Sequence, residues 1–237
     1  MKKVILMTSL LLACAGHVYA DDEANQWSGS GYLGLTSTSG NSDTESLTAG
    51  LKIKYETGKW INDASLDLLK ASADNVDTAQ RLIFSTKTGY KFDDNDYVYY
   101  GSRYENDNFS AFDYTITSGV GWGHKFYDDE NSRLITEVGV GYKIEALDID
   151  RAENTGVAFL GRLDYMRKFS DTMTFENVTI IESTSDNNFI QNDAGLAFKV
   201  SDKFAVKLVH QLRHNTDVPA GTDKTDTLVS ANLVYDF

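Results

Sequence analysis

The sequence predicts an all-β fold: a transmembrane, antiparallel up-and-down β-barrel of twelve strands. Three observations predict it. Apolar and polar residues alternate with period two from end to end, and helical periodicity is almost absent. Aromatic residues gather beside one set of tight turns instead of scattering through a core. After the first twenty residues there is no run of about eighteen apolar residues. A chain in a membrane would therefore cross as a closed barrel, which leaves no strand-edge amide unpaired in lipid.

The first element is read as a secretory signal peptide over residues 1–20. Lys2 and Lys3 form a positive start, Val4 to Ala15 an apolar stretch, and Val18-Tyr19-Ala20 a small-residue cleavage site between Ala20 and Asp21. A second reading takes Leu11-Leu12-Ala13-Cys14 as a lipoprotein box, although Leu12 fits poorly two places before the cysteine. Residues 21–237 are read as one barrel domain. The full chain has 22 basic and 35 acidic residues, and Lys2 and Lys3 leave with the leader, so the exported part carries 20 − 35 = −15. Such acidity argues against nucleic acid as a partner. Cys14 is the only cysteine, so disulfides are not what stabilises the exported chain.

Twelve alternating segments follow. They begin near Trp27, Asp43, Trp60, Thr78, Tyr97, Phe112, Arg133, Gly156, Thr172, Ile190, Phe204 and Asp223. Each spans about 11–15 residues, enough for a tilted strand to cross a bilayer. In the second, Leu47, Ala49, Leu51, Ile53 and Tyr55 oppose Thr48, Gly50, Lys52, Lys54 and Glu56; Arg81–Phe92 and Tyr114–Phe126 repeat the pattern. In the seventh, Leu134 to Ile144 opposes Arg133, Glu137 and Lys143. The ninth is least regular, and a parity shift between Phe175 and Val178 predicts a bulge there. The last, Thr227–Phe237, turns Val229, Ala231, Leu233, Tyr235 and Phe237 outward. Leu233, Tyr235 and Phe237 resemble the C-terminal signal by which outer-membrane proteins are recognised by their assembly machinery.

Even-numbered strands end in tight turns at 57–59, 93–96, 128–131, 170–171 and 201–203. Odd-numbered ones end mostly in longer polar stretches, such as 72–77, 146–154 and 215–224. That asymmetry belongs to outer-membrane barrels. Beside the tight turns lie Trp27, Tyr55, Trp60, Tyr90, Phe92, Tyr97, Trp122, Phe126, Tyr127, Tyr165, Phe169, Phe175, Phe198, Phe204, Tyr235 and Phe237, read as an interfacial girdle. Tyr104, Phe112 and Phe189 are read as a thinner girdle at the opposite end.

Two stretches, GYLGLTSTSGNSDTESLTAGLKIKYETGKW (31–60) and RYENDNFSAFDYTITSGVGWGHKF (103–126), resemble the YdiY-like family of salt-induced outer-membrane proteins. The likeness extends more loosely from Trp27 to the end. It implies an outer-membrane location and a link to salt or osmotic stress, and it brings no catalytic or ligand residues.

With the apolar rows facing lipid, the other rows enclose the interior. The candidates lining it are Lys52, Lys54, Arg81, Lys87, Arg103, Glu105, Arg133, Glu137, Lys143, Arg162, Asp164, Lys199, Lys207 and Arg213. By this parity 14 basic residues face inward against 10 acids, a basic excess that favours anions. Two readings stand: the charges pair and fill a structural barrel, or they line a narrow passive channel for small ions or solutes. Inward glycines, among them Gly50, Gly119, Gly121, Gly123, Gly139, Gly141 and Gly195, are read as leaving space. The expected partners are outer-membrane lipids and lipopolysaccharide.

An enzyme is not expected. The alternative, a lipid- or polysaccharide-modifying hydrolase, would need a serine beside an outward His124, His210 or His214. Ser118 is six residues from His124, roughly 20 Å along a strand. The acidic runs 93–96 and 128–130 lack the spacing of a calcium loop and carry residues that tight turns prefer. Neither a metal nor a cofactor is expected. A soluble periplasmic β-domain is the remaining fold alternative.

Overall fold

The structure, a computed structural model, describes residues 26–38, 44–147 and 152–237. The predicted leader and its Ala20–Asp21 cleavage site lie outside the described residues. Twelve strands run in chain order: β1 (Gln26–Thr38), β2 (Thr44–Thr57), β3 (Trp60–Ala73), β4 (Val76–Lys91), β5 (Asp96–Asp107), β6 (Phe112–Asp128), β7 (Ser132–Leu147), β8 (Glu153–Ser170), β9 (Met173–Ser183), β10 (Asn188–Lys199), β11 (Phe204–Asn215) and β12 (Thr225–Asp236). Each pairs antiparallel with its chain neighbours, and β1 pairs with β12 to close the barrel. No helix among the described residues is long and apolar enough to cross a membrane.

Polarity is inverted relative to a soluble domain. Lys143 and Glu182 are 2% and 3% exposed, while Val229 and Val157 are 73% and 71% exposed. Water-soluble folds bury valine and expose lysine. Here the apolar rows form the outer wall and the charged rows the inside, the arrangement a barrel in hydrocarbon requires.

The turns follow from local chemistry. Gly58, between β2 and β3, has φ 52, a left-handed value that glycine adopts without strain. Between β4 and β5, Asp93 accepts the backbone N–H groups of Asn95 (2.9 Å) and Asp96 (2.8 Å). Asp129 does the same between β6 and β7 for Asn131 (2.8 Å) and Ser132 (2.9 Å). These side chains mimic a backbone turn. The stretch 72–77, expected as a longer connection, is instead a two-residue hairpin. Asp74 and Asn75 have φ of 50 and 63, the mirror-image turn that matches the twist of paired strands.

The bulge expected between Phe175 and Val178 is absent. β9 alternates without a break, and the nearby register shift falls on β8, between Lys168 and Ser170. The unbroken parity points Asn177 and Thr179 outward and Glu176 and Glu182 inward. The outward amides bond to one another: Asn192 Nδ2 donates to Asn177 Oδ1 (3.1 Å) and to Thr179 Oγ1 (2.8 Å).

Three aromatic assignments change. Tyr97 is buried inside, not in the girdle, because it shares parity with Arg103 and Glu105. Phe189 is likewise interior, and Phe112 is buried at the loop end. The rest of the turn-end girdle is outward, with rings in tilted contact in places, as in Trp27–Tyr55 (centroids 4.4 Å) and Phe204–Tyr235 (5.0 Å).

Candidate functional site: the barrel interior

Inward side chains of all twelve strands enclose one cavity of about 940 Å³. It begins among charged residues at the tight-turn end. There Lys91 and Lys54 both meet Glu56, Arg133 binds Asp164 (3.0 Å), and Lys207 binds Glu176. Deeper, Lys87 lies between Glu137 (2.5 Å) and Asp63 (3.5 Å), and the Tyr97 hydroxyl donates to Glu137 (2.5 Å). Tyr32 donates to Asp67 (2.7 Å), and Gln211 and Gln191 each donate to Asp193 (2.8 Å).

At the loop end the cavity stops against a layer of ion pairs that spans the barrel. Arg213 on β11 reaches Glu105 and Asp107 (3.3 Å) on β5. Arg81 on β4 donates to Gln211 on β11. Arg103 on β5 meets Glu105 and, at 3.6 Å, Glu182 on β9. Lys143 on β7 joins Glu145 (2.8 Å) and Glu182 (3.2 Å). The Phe189 ring sits in the middle, with Arg103, Lys143 and Arg213 all 5.1–5.2 Å from its centroid. The β5–β11, β4–β11, β5–β9 and β7–β9 contacts join strands that are not adjacent, so the layer is a septum of side chains. Gln191 Oε1 and Arg213 Nε, both buried in it, have no hydrogen-bond partner. Above lies a second cavity of about 20 Å³, lined by Glu105, Phe112, Lys143, Glu145 and Arg213 among others. Arg103 lines both cavities, so the partition is one side chain thick.

The predicted lining residues divide accordingly. Lys52, Lys54, Arg81, Lys87, Arg103, Arg133, Glu137, Arg162, Asp164 and Lys207 line the large cavity. Glu105, Lys143 and Arg213 belong to the septum. Lys199 sits at the turn-end rim, paired with the exposed Asp202 (2.9 Å). The expected basic excess does not hold. Lys52, Lys54, Arg81, Lys87, Arg103, Lys125, Arg133, Arg162 and Lys207 are matched one for one by Asp63, Asp67, Asp128, Glu137, Asp164, Glu176, Glu182, Asp193 and Asp236. Asp128, Glu176 and Glu182 were missed.

The glycines do not leave a hole either. A Cβ at Gly121 would collide with the Tyr99 ring (2.6 Å), one at Gly119 with Leu160 (2.6 Å), and ones at Gly123 and Gly50 with the rings of Tyr97 and Tyr32. The space over them is already filled by the rings of Tyr32, Tyr97 and Tyr99 and by the side chains of Leu160 and Lys207.

The outer wall offers one histidine–carboxylate contact, His124 Nδ1 to Asp96 (2.9 Å), set between the rings of Trp122 and Phe126. Ser118, the nearest serine on that strand, bonds Ser102 instead (2.9 Å). His214 contacts Thr225 (2.8 Å). Among the described residues the side-chain contacts of His124 and His214 go to Asp96 and Thr225 and not to a serine, so the hydrolase alternative gains no support. No group of three metal-ligating side chains occurs among the described residues.

Solved structures share the architecture. An outer-membrane channel from Pseudomonas putida F1 superposes with a TM-score of 0.53 at 10% identity, covering 93% of this chain and 100% of that one. The NanC porin gives 0.49 at 14% identity over 90% and 98% of the two chains. The translocator domain of the autotransporter NalP from Neisseria meningitidis gives 0.47 at 10% identity over 91% and 90%. At such identities the likeness is one of fold. No curated protein matches the sequence. Residues 31–237 match the family described as "Protein of unknown function, DUF481", and the chain belongs to that family.

Proposed function

We propose that this protein is a narrow, passive outer-membrane channel for small ions or polar solutes, held closed by the side-chain septum. One observation carries the reading: a wide cavity is separated from a second one only by the single layer containing Arg103, Glu105 and Arg213. Among the described residues the twelve strands all lie in the wall, and the layer between the two cavities is built of side chains. The exposed apolar belt supports an outer-membrane location. Export through a leader cut after Ala20, recognition of Leu233, Tyr235 and Phe237 by the assembly machinery, and contact with lipopolysaccharide complete the proposal. A role in salt or osmotic stress rests on the YdiY-like resemblance alone.

Planar-bilayer recording tests it. Wild type is expected to give rare, small steps, and Arg213→Ala larger and more frequent ones. Removing one partner of a buried ion pair costs about 3–5 kcal/mol, so Arg213→Leu with Glu105→Gln removes one charge of each sign and leaves Arg81 with Asp107 and Arg103 with Glu182. Absence of steps from all three proteins overturns the channel and leaves a structural barrel.

A further inference from the structure

The wall of the barrel is not evenly sealed. β6 and β7 are laddered from Phe112–Leu147 to Asp128–Arg133, almost their whole length. The closing ladder is far shorter. β1 and β12 pair only from Ser30–Asp236 to Leu33–Leu233, extended by two 2.9 Å backbone bonds between Gly29 and Phe237. Both strands continue beyond it, β1 to Thr38 and β12 back to Thr225. The same register would set Gly34 against Asn232 and Leu35 against Ala231, but the ladder has already stopped. An open strand edge at membrane depth is tolerated only where it lines a cavity.

Where the strands part, a side-chain latch replaces the ladder. Thr48 of β2 donates to Asn232 Oδ1 of β12 (2.6 Å), across β1 at Gly34. Only glycine permits this, since a Cβ there would lie 2.7 Å from the Ala231 carbonyl oxygen and closer still to both latch atoms. Outside the seam, Leu35 and Val229 are exposed to the membrane. Inside it, Val209 and Leu228 on one flank and Leu69 and Ile83 on the other give the charged cavity an apolar patch.

We propose that the β1–β12 seam is a lateral portal, latched by Thr48 and Asn232, that admits a single-chain zwitterionic lipid from the membrane into the cavity. The acyl chain lies against Leu69, Ile83, Val209 and Leu228. The headgroup, carrying one charge of each sign, suits a cavity whose lining charges balance. A volume of about 940 Å³ is of the size that holds small ligands. This goes beyond the channel reading and does not need it.

The probe is palmitoyl lysophosphatidylethanolamine, counted as a bound adduct by native mass spectrometry of the barrel released from micelles. Leu35→Cys and Ala231→Cys, in a Cys14→Ser background, are joined across the seam by a short bifunctional thiol reagent. Wild type and the unlinked pair are expected to retain one lipid, and the linked pair to lose it about tenfold or more. Asn232→Ala should exchange the lipid faster, and Leu228→Asp should lose it while the barrel still migrates as folded on unboiled gels. Equal occupancy in linked and unlinked barrels, or no adduct on wild type and Asn232→Ala, overturns the portal. Conductance recorded on the linked pair separates the two ideas, because sealing the seam leaves the axial path intact.

Discussion

Tyr97 and Gly123 define each other. The ring lies flat over the glycine, which its strand pairs directly opposite, and its hydroxyl is fixed on Glu137, itself held by Lys87. A methyl group at position 123 would push into that ring, and the ring cannot retreat without releasing Glu137. Overpacking of this kind costs about 1–3 kcal/mol. Gly123→Ala is therefore expected to lower the temperature at which the folded gel band converts to the unfolded one, with Tyr97→Leu restoring it in the double variant. The sequence shows glycines on the inward parity of β6 and β7 but not what covers them. Their partners lie on β5 and β8, and ring orientation depends on how the wall curves. The parity of Tyr97 itself was readable from Tyr99, Gly101 and Arg103. Its position beside a tight turn made it look like a girdle residue.

At the scale of the element, the turn-end hairpins are fastened by carboxylates. Asp129 holds the backbone N–H groups of Asn131 and Ser132 and the Ser132 hydroxyl, and these bonds depress its pKa. Asp93 is depressed in the same way by Asn95 and Asp96. A group with a lowered folded pKa adds stability above its unfolded value, near 3.9 for aspartate, and that contribution disappears as pH falls through the folded one. Asp129→Asn should thus be less stable than wild type at neutral pH, and the gap should close in acid, as read by thermal unfolding across a pH series. A constant gap would mean that the carboxylate charge plays no part. Strand positions were legible because alternation survives at every hairpin. β9 was misread for a definite reason: Asn177 and Thr179 look wrong on a lipid face until Asn192 of the adjacent strand supplies their hydrogen bonds. Partner chemistry of that sort is invisible in one segment.

The parity of β9 bears on the electrostatics of the whole molecule. A bulge in β9 would have removed Glu176 and Glu182 from the interior and left a basic excess; continuous alternation returns both and balances the cavity. The pairs spanning β5 to β11 and β5 to β9 could not be foreseen, since they depend on the closed circumference and not on neighbouring strands. A balanced lining gives little reason to prefer either sign of ion. The Arg213→Leu/Glu105→Gln barrel, which loses one charge of each sign, is expected to reverse close to zero voltage in a salt gradient, and adding Glu176→Gln with Asp164→Asn should shift the reversal towards anions. A strong anion preference before those acids are removed would contradict the balance.

An even number of antiparallel strands closed by Gly29 against Phe237 also fixes sidedness. The chain enters at Gln26 and leaves at Phe237 on the rim that carries the short turns, whereas Thr216 to Lys224 sits on the far rim. Reporters fused before Gln26 or after Phe237 therefore share one compartment, and an epitope spliced between Thr216 and Lys224 is displayed in the other.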